Sequence, residues 1–324
     1  MKTRVTVVMA TLFVTVYLSS VLSVATSSNT LQVPGDYPTI QAAVDAAAPG
    51  DTIRVGPGSW CGASITKQVN LVGEGNSTII GCAASPNLFG FLRIGFFLPN
   101  GRASGSTISH FTFDGRGVSN SNLEPLSFGV FARDANNVVV DQNSVLGTVQ
   151  AITNTRGSGW TVAHNNIDGL TVFTCDGFCG GGDAIVFQQR DTALPAAMDN
   201  EASFNTITGF IPNTLVEFSM TGIFLINQDG SVIKNNKIGL TALGSSATPG
   251  QAILVSNICC GLPGSFGFSS NSVIVNNDGR KSYYSVVIDP GNFAGTTLRG
   301  NFGLNNINGG SDVNVTNRSK RTVY

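Results

Sequence analysis

Short segments in which apolar and polar residues alternate recur along most of the chain. In one such segment the period of two places Ile185 and Phe187 on the inward face of a strand, and in another it places Ile223 and Leu225 there. Gly, Asn, Ser and Thr, which favour turns, are abundant between these segments. The pattern predicts an all-β chain of many short strands joined by turns.

Residues 37–55 depart from this alternation. Apolar residues recur there at i, i+3, i+4 and i+7, namely Ile40, Ala43, Val44 and Ala47. Thr39 can cap the N-terminus of a helix, and Pro49-Gly50-Asp51 ends it and turns the chain. Thr52–Val55 then alternates as a strand. The sequence predicts a short amphipathic helix, a tight turn and a first strand.

A phrase recurs from about residue 106: apolar residues, two polar residues, Asn, any residue, then Ile or Val. Its asparagines are Asn143, Asn165, Asn205, Asn236, Asn271 and Asn301. Their separations are 22, 40, 31, 35 and 30 residues, so the shortest is close to one bare turn of a solenoid and the longer ones carry loops. Repetition in fixed phase indicates a solenoid.

Residues 37–55, continued by residues 65–75, resemble the opening of secreted right-handed parallel β-helix proteins. That group includes pectate-lyase-like proteins, pectin methylesterases and NosD-like periplasmic proteins. The resemblance implies an all-β, right-handed parallel β-helix with a short N-terminal capping α-helix. It also implies that the recurring asparagines form a ladder at a bend between two strands. The motif is specific for the fold and indicates no activity, because one fold hosts many functions.

The first 25 residues have the features of a secretory signal peptide. Lys2 and Arg4 precede an apolar run over residues 5–22, and Ser23-Val24-Ala25 offers a small-residue cleavage site. An uncleaved anchor is the alternative, because a run of about 18 apolar-rich residues just spans a bilayer. We expect a secreted, extracellular or periplasmic protein without stable membrane insertion after cleavage.

The mature part is predicted to form a single β-helix domain over residues 26–324. We expect its cap at about residues 37–60, its coils at about residues 61–310 and a C-terminal tail at residues 311–324. The net charge is −1, from 18 basic and 19 acidic residues, and no basic patch stands out. The sequence therefore gives no electrostatic footprint for nucleic acid. We expect a monomer.

Six cysteines in an exported chain indicate disulfide bonds. Cys61 and Cys82 lie about one coil apart and are predicted to pair. The other four are Cys175 and Cys179, which bracket a Gly-rich loop, and the vicinal Cys259-Cys260. They form either two local bridges or two bridges between loops. A metal site is the alternative, which an oxidising compartment disfavours.

The outward positions of the predicted strands form a largely apolar stripe with few charges: Phe131, Arg133, Thr153, Thr155, Val186, Gln188, Phe224, Ile226, Leu254 and Ser256. One interpretation is that long loops, such as residues 171–184 and 257–266, cover the stripe. The other is a groove in which sugar rings stack on aromatic side chains. A substrate in that groove would contact Phe131, Arg133, Gln188, Phe224 and Asp191.

The longest interval between recurring asparagines, from Asn165 to Asn205, holds the candidates for chemistry. Asp176 and Asp183 could supply carboxylates for acid/base catalysis, and Arg190 could bind an acidic sugar. The alternative is a disulfide-pinned loop whose acids are solvated or bind Ca²⁺. We expect no other cofactor.

The active-site motifs of the resembling families are absent. The chain has no Arg-Pro-Trp of pectin methylesterases, no Gly-His-Gly of polygalacturonases, no Asp-Pro-His-Asp of mannuronan epimerases and no Arg-x-Pro-x-x-Arg of pectate lyases. The sequence therefore favours a secreted protein that binds an extracellular polysaccharide or a surface partner. The alternative is a polysaccharide lyase or glycoside hydrolase that acts on an acidic polysaccharide. Whether the chain is an enzyme stays open.

Overall fold

The chain folds as a right-handed parallel β-helix, as predicted. The computed structural model describes residues 28–82, 84–88, 92–116, 126–173, 180–211, 220–242, 250–257, 266–292, 294–307, 314–316 and 322–323. Its strands pair in parallel into long sheets, which we call A, B and C. A complete coil contributes one strand to each sheet in that order, as in Val139–Asp141, Ser144–Thr148 and Gln150–Thr155.

Within each sheet, the strands follow one another from coil to coil in chain order. Sheet A consists of Thr30–Val33, Thr52–Val55, Asn70–Val72, Thr107–Ser109, Val139–Asp141, Thr161–Ala163, Glu201–Ser203, Val232–Lys234, Val273–Val275, Thr297–Arg299 and Asn314–Thr316. Sheet B consists of Gly58–Trp60, Thr78–Ile80, Thr112–Asp114, Ser144–Thr148, Asn166–Leu170, Thr206–Ile211 and Lys237–Ala242. Sheet C consists of Ala63–Ser64, Leu92–Leu98, Phe128–Arg133, Gln150–Thr155, Asp183–Gln188, Thr221–Ile226, Gln251–Val255, Tyr284–Ile288, Asn305–Ile307 and Thr322–Val323.

Several short strands and turns lie outside the three long sheets. Asn87–Leu88 pairs antiparallel with Leu92–Leu98, and Val172–Phe173 pairs antiparallel with Gly180–Gly181. The remaining small elements are the parallel pair Ala197–Met198 and Gln228–Asp229 and the 3-10 turns Gly75–Ser77 and Gly101–Ala103. The sheets begin before the expected cap and continue into the expected tail at residues 311–324.

The predicted capping helix is confirmed and spans Ile40–Ala46. The Thr39 hydroxyl oxygen accepts a hydrogen bond from the Ala42 N–H over 3.1 Å, as an N-cap residue does. Ile40, Ala43, Val44 and Ala47 are all buried in the central core. At the other end, Lys67 Nζ donates to the carbonyls of Asp45 and Ala47 over 2.9 Å each. The helix therefore seals the end of the solenoid core.

The predicted asparagine ladder is present at the bend between sheets A and B, with one member corrected. Its members are Asn143, Asn165, Asn205, Asn236, Asn277 and Asn301. From Asn165 onward, each side-chain oxygen accepts the backbone N–H of the preceding member, as Asn205 does from Asn165 over 2.9 Å. Each buried side-chain amide also donates to a backbone carbonyl, as Asn205 does to Val162.

Asn271 was predicted as a ladder member, and this is wrong. The residue before each ladder asparagine has a left-handed backbone, at Gln142, His164, Phe204, Asn235, Asn276 and Gly300. Asn271 itself has this conformation, with φ at 51°, and its exposed amide donates to Asp229. It therefore occupies a turn residue of another corner, and Asn277 takes the buried position.

The predicted disulfide between Cys61 and Cys82 is present. It joins the ends of Gly58–Trp60 and Thr78–Ile80, which are neighbouring strands of sheet B. Cys175, Cys179, Cys259 and Cys260 lie outside the described residues, so their pairing stays a prediction. In the described ranges no helix has both the length and the apolar character needed to cross a membrane.

Candidate functional site

The outer face of sheet C presents side chains in columns that run across successive coils. The strand register places one column along Phe128, Gln150, Asp183, Thr221, Gln251 and Tyr284, which we call the first column. A second column runs along Phe131, Thr153, Val186, Phe224, Leu254 and Val287. Neither column belongs to the central core, which takes the intervening positions such as Ile152, Ile185 and Ile223.

A polar patch occupies the middle of this face and consists of Gln150, Thr153, Asp183 and Thr221. Gln150 Nε2 donates to Asp183 Oδ2 over 3.3 Å, and the Thr153 hydroxyl donates to Gln150 Oε1 over 2.7 Å. The Thr221 side chain also hydrogen-bonds to Asp183. Side chains from the two neighbouring coils therefore converge on the carboxylate of Asp183.

Asp183 is the electrostatic centre of the patch. Burial raises the pKa of its carboxyl to about 7, against the hydrogen bond from Thr221, the charge of Arg190 and the hydrogen bond from Gln150. Burial also lowers the pKa of Arg190, which the charge of Asp183 partly restores. The two predicted residues therefore interact, and Asp183 can exchange a proton near neutral pH.

Apolar clusters flank the polar patch on both sides. On the N-terminal side Leu92, Ile94, Phe128 and Phe131 pack together, and on the C-terminal side Val186, Phe224 and Ile226 pack with Leu254 and Phe266. Phe131 and Phe224 are each only 7% exposed. These apolar positions of the outward stripe are therefore covered. Residues 174–179 and 258–265 of the loops predicted to cover them lie outside the described residues, so coverage by those loops stays a prediction.

The remaining predicted substrate contacts lie at or beyond the C-terminal ends of the sheet C strands. Gln188 is buried and donates from Nε2 to the Thr155 hydroxyl over 2.9 Å, whereas its Oε1 is buried without a hydrogen-bond partner. The Arg133 guanidinium lies 5.6 Å from the centre of the Phe131 ring. Asp191 is exposed and accepts the Ala193 N–H in its own turn. Asp176 lies outside the described residues, so the predicted pair with Asp183 stays a prediction.

Beyond Asp183, the first column continues with residues that the sequence pattern did not single out. The next coils place Thr221, Gln251 and Tyr284 in register with Asp183. The Gln251 Oε1 atom is buried without a hydrogen-bond partner. Tyr283, which is 58% exposed, contacts Tyr284 edge-on with ring centres 4.7 Å apart. From Asp183 the column therefore continues through one hydroxyl and one amide to an aromatic pair of which Tyr283 is exposed.

The predicted calcium site has no counterpart within the described part of the chain. No three His, Cys, Asp or Glu side chains come together there as a set of metal ligands. Asp176, which was central to that alternative, is outside these residues. Calcium binding therefore stays a prediction.

Comparison with known proteins shows the fold alone. No protein-family model and no curated protein sequence matches the chain. Among solved structures, the chain is similar to a DFA-IIIase from Arthrobacter chlorophenolicus A6, in complex with GF2 and without its lid. The TM-score is 0.57 at 14% identity, over 86% of this chain and 73% of that one.

Two further solved structures share the architecture. The catalytic unit of a GH87 alpha-1,3-glucanase from Streptomyces thermodiastaticus strain HF3-3 gives a TM-score of 0.52 at 16% identity, over 86% of this chain and 62% of that one. PfbA, a surface adhesin of Streptococcus pneumoniae, gives 0.50 at 13% identity, over 87% of this chain and 75% of that one. The same architecture thus serves both enzymes and an adhesin.

Proposed function

We propose that this chain is an exported β-helix protein that binds an extracellular polysaccharide or a cell-surface glycan along the first column of sheet C. The observation that carries the proposal is the polar patch around Asp183, in which the half-buried side chains of Gln150 and Asp183 hydrogen-bond to each other and to the buried hydroxyls of Thr153 and Thr221. Such groups hydrogen-bond to sugar hydroxyls. The exposed ring of Tyr283 adds an aromatic face with a polar tip at the end of the column.

The dimensions of the column suit an extended chain. Neighbouring strands of a sheet lie about 4.8 Å apart, so Asp183 and Tyr284, three strands apart, are separated by roughly 14 Å. A polysaccharide that crosses the strands at right angles would meet one column residue per coil. The buried oxygen of Gln251, which has no hydrogen-bond partner, lies between the two ends.

Export is supported by two observations. The Cys61–Cys82 disulfide is typical of an oxidising compartment. The similar architecture of a surface adhesin is compatible with a cell-surface setting. Acidic sugars are the preferred ligands in this proposal, because Arg133 lies on the same sheet as the polar patch and Arg190, just beyond the strand of Asp183, is close enough for the two charges to interact.

The pKa of Asp183 favours one alternative, a lyase or hydrolase that acts on an acidic polysaccharide. A carboxyl group with a pKa of about 7 is suited to general acid or base catalysis at neutral pH. In that case Asp183 transfers the proton and Arg190 binds the acidic sugar. The similar DFA-IIIase and alpha-1,3-glucanase structures show that this architecture can carry catalytic sites.

One experiment tests the proposal and separates it from the alternative. The purified protein is incubated with acidic and neutral polysaccharides, and binding, new reducing ends and unsaturated products are measured together. Binding without products supports a binding protein, and products that disappear in Asp183→Asn support the enzyme. If no polysaccharide in the panel is bound or cleaved, the proposed function is wrong.

A further inference from the structure

A pocket lies at the N-terminal end of the solenoid, away from the polar patch of sheet C. It is a cavity of about 620 Å³ between the start of the capping helix and the turn that carries the Cys61–Cys82 disulfide. Small-molecule sites in proteins usually have volumes of about 300–1,000 Å³. The cavity therefore has the size of a ligand site and shares no lining residue with the first column.

The walls of this pocket, which we call the cap pocket, are mainly apolar. The lining includes Trp60, Pro38, Pro86 and the disulfide-bonded Cys61. Trp60 is partly buried against the central core, and its indole N–H donates to the Gly56 carbonyl over 3.0 Å. The ring is therefore held in a fixed orientation while part of it faces the pocket.

Polar groups at the rim of the cap pocket are few and uncharged. The Gln41 side chain is fixed by hydrogen bonds to both backbone groups of Ser64. The Thr39 oxygen accepts from the Ala42 N–H, which leaves its O–H free to donate outward. Ser59 is exposed and adds a further hydroxyl. The described lining residues carry no charge.

We propose that the cap pocket binds a neutral sugar, such as the end of an uncharged oligosaccharide, with one pyranose ring stacked on Trp60. A sugar ring has an apolar face that suits the aromatic ring of Trp60, and Pro38 and Pro86 line the same pocket. Its hydroxyls suit the hydroxyl groups of Thr39 and Ser59. An acidic sugar is disfavoured because its desolvated carboxylate would find no cation among the lining residues. The neutral lining thus distinguishes this site from the Asp183 patch.

Tryptophan fluorescence tests the proposal directly. The chain contains two tryptophans, Trp60 and Trp160, and Trp160 is fully buried with its N–H bonded to the Ala135 carbonyl. A ligand-dependent change in emission therefore reports on Trp60. The probes are gluco- and manno-oligosaccharides of two to four units, with trigalacturonate as the acidic control. We expect at least one neutral probe to change the emission and to protect Trp60 from acrylamide quenching, and trigalacturonate to do neither.

Variants separate this site from the sheet C site. Ala84→Phe places a ring at the exposed edge of the pocket without touching the core, and it should weaken binding of the neutral probe at least tenfold by calorimetry. Trp60→Phe keeps a ring but loses the emission change. Phe268→Ala, which removes an exposed ring elsewhere, and Asp183→Asn should bind the probe as the unaltered protein does.

Two results would overturn the inference. One is that no neutral oligosaccharide at millimolar concentration changes the Trp60 emission or its quenching. The other is that Ala84→Phe binds the probe with unchanged affinity. Loss of binding in Asp183→Asn but not in Ala84→Phe would assign the ligand to sheet C, so failure of this inference and failure of the proposed function give different patterns.

Discussion

At the scale of single residues, the burial of Asp183 lowers stability and also gives its carboxyl a pKa suited to proton transfer at neutral pH. Its side chain is half-buried, and the hydrogen bonds from Gln150 and Thr221 together with the charge of Arg190 only partly offset the effect of that burial on its pKa. A residue whose pKa is shifted by burial in this way is typical of functional sites, where the shift serves the chemistry although the burial lowers stability. The effect belongs to one side chain and is therefore testable by one substitution.

We predict that Asp183 makes the stability of the protein depend on pH in the acidic to neutral range. Its pKa is about 7 in the folded state and close to 3.9 in an unfolded chain, so the folded state binds more protons between these values. The contribution of Asp183 to stability is therefore complete below about pH 4 and is lost as the pH rises through about 7. Thermal unfolding midpoints across this range measure it.

The comparison that isolates Asp183 uses two variants. Asp183→Asn cannot ionise, so its midpoint should fall less than that of the unaltered protein between pH 4 and pH 8. Asp191→Asn removes an exposed carboxylate of the same segment and should follow the unaltered profile. A constant offset between the profiles of Asp183→Asn and the unaltered protein would show that Asp183 titrates normally.

Among the elements, the bend between sheets A and B fixes one coil on the next. Asn205 is buried there and accepts from the backbone and the side chain of Asn165, and it donates to Asn236 and to the Val162 carbonyl. Each ladder member thus satisfies backbone groups that the bend would otherwise leave unpaired in the interior. The ladder is therefore a bonding system between coils as well as a turn.

We predict that Asn205→Ala strongly destabilises the protein, because buried groups on both neighbouring coils lose their partners. Each buried group left unsatisfied costs roughly 1–3 kcal/mol. Asn271→Gly is the matched control: this exposed asparagine has a left-handed backbone that glycine adopts readily, so it should change stability by less than about 1 kcal/mol. Denaturant unfolding of both variants measures the difference, and equal losses would contradict the ladder assignment.

The elements differ in how far the sequence predicts them. The capping helix is predictable because its signals are local: the hydroxyl of Thr39, the spacing of the apolar residues and the turn at Pro49-Gly50-Asp51. The wrong assignment of Asn271 to the ladder, in the place of Asn277, has a different origin. Asn271 and Asn277 both follow polar residues near a strand. Only the left-handed backbone of Asn276, the residue before Asn277, marks Asn277 as the ladder member.

The candidate site was predictable only in part for a similar reason. Asp183 and Arg190 lie in one segment and could be named together. Gln150 and Thr221 come from other coils, and they meet Asp183 through a strand register that depends on intervening loops of unequal length. The alternation that predicts a strand at Ile185 and Phe187 does not reach back to Asp183, where the strand begins, so the first column was not considered.

At the scale of the whole molecule, the solenoid is a stack in which each coil contacts its neighbours. Stability in such stacks is approximately a sum of local terms, so a change at one end has mainly local effects. The capping helix and the Cys61–Cys82 disulfide both act at the N-terminal end. The Asp183 patch lies several coils further along.

We predict that loss of the disulfide loosens the N-terminal coils and leaves the middle of the stack intact. The bridge closes a loop of about twenty residues, for which chain-entropy arguments give about 3 kcal/mol. In Cys61→Ser/Cys82→Ser, amide hydrogen exchange should accelerate in Gly58–Trp60 and Thr78–Ile80. Exchange in Thr221–Ile226 should be unchanged, and uniform acceleration along the chain would contradict local stacking.

The central claim, that the first column of sheet C binds a glycan, is tested most directly by affinity measurements on column variants. The affinity for the best polysaccharide of the panel is measured for Gln150→Ala, Gln251→Ala and Tyr284→Ala. Thr208→Ala on the outer side of sheet B is the matched control. Loss of one hydrogen bond or ring contact of about 1.4 kcal/mol weakens binding tenfold. We expect each column variant to bind about tenfold more weakly and Thr208→Ala to bind normally. Unchanged affinity in all three column variants would contradict the account.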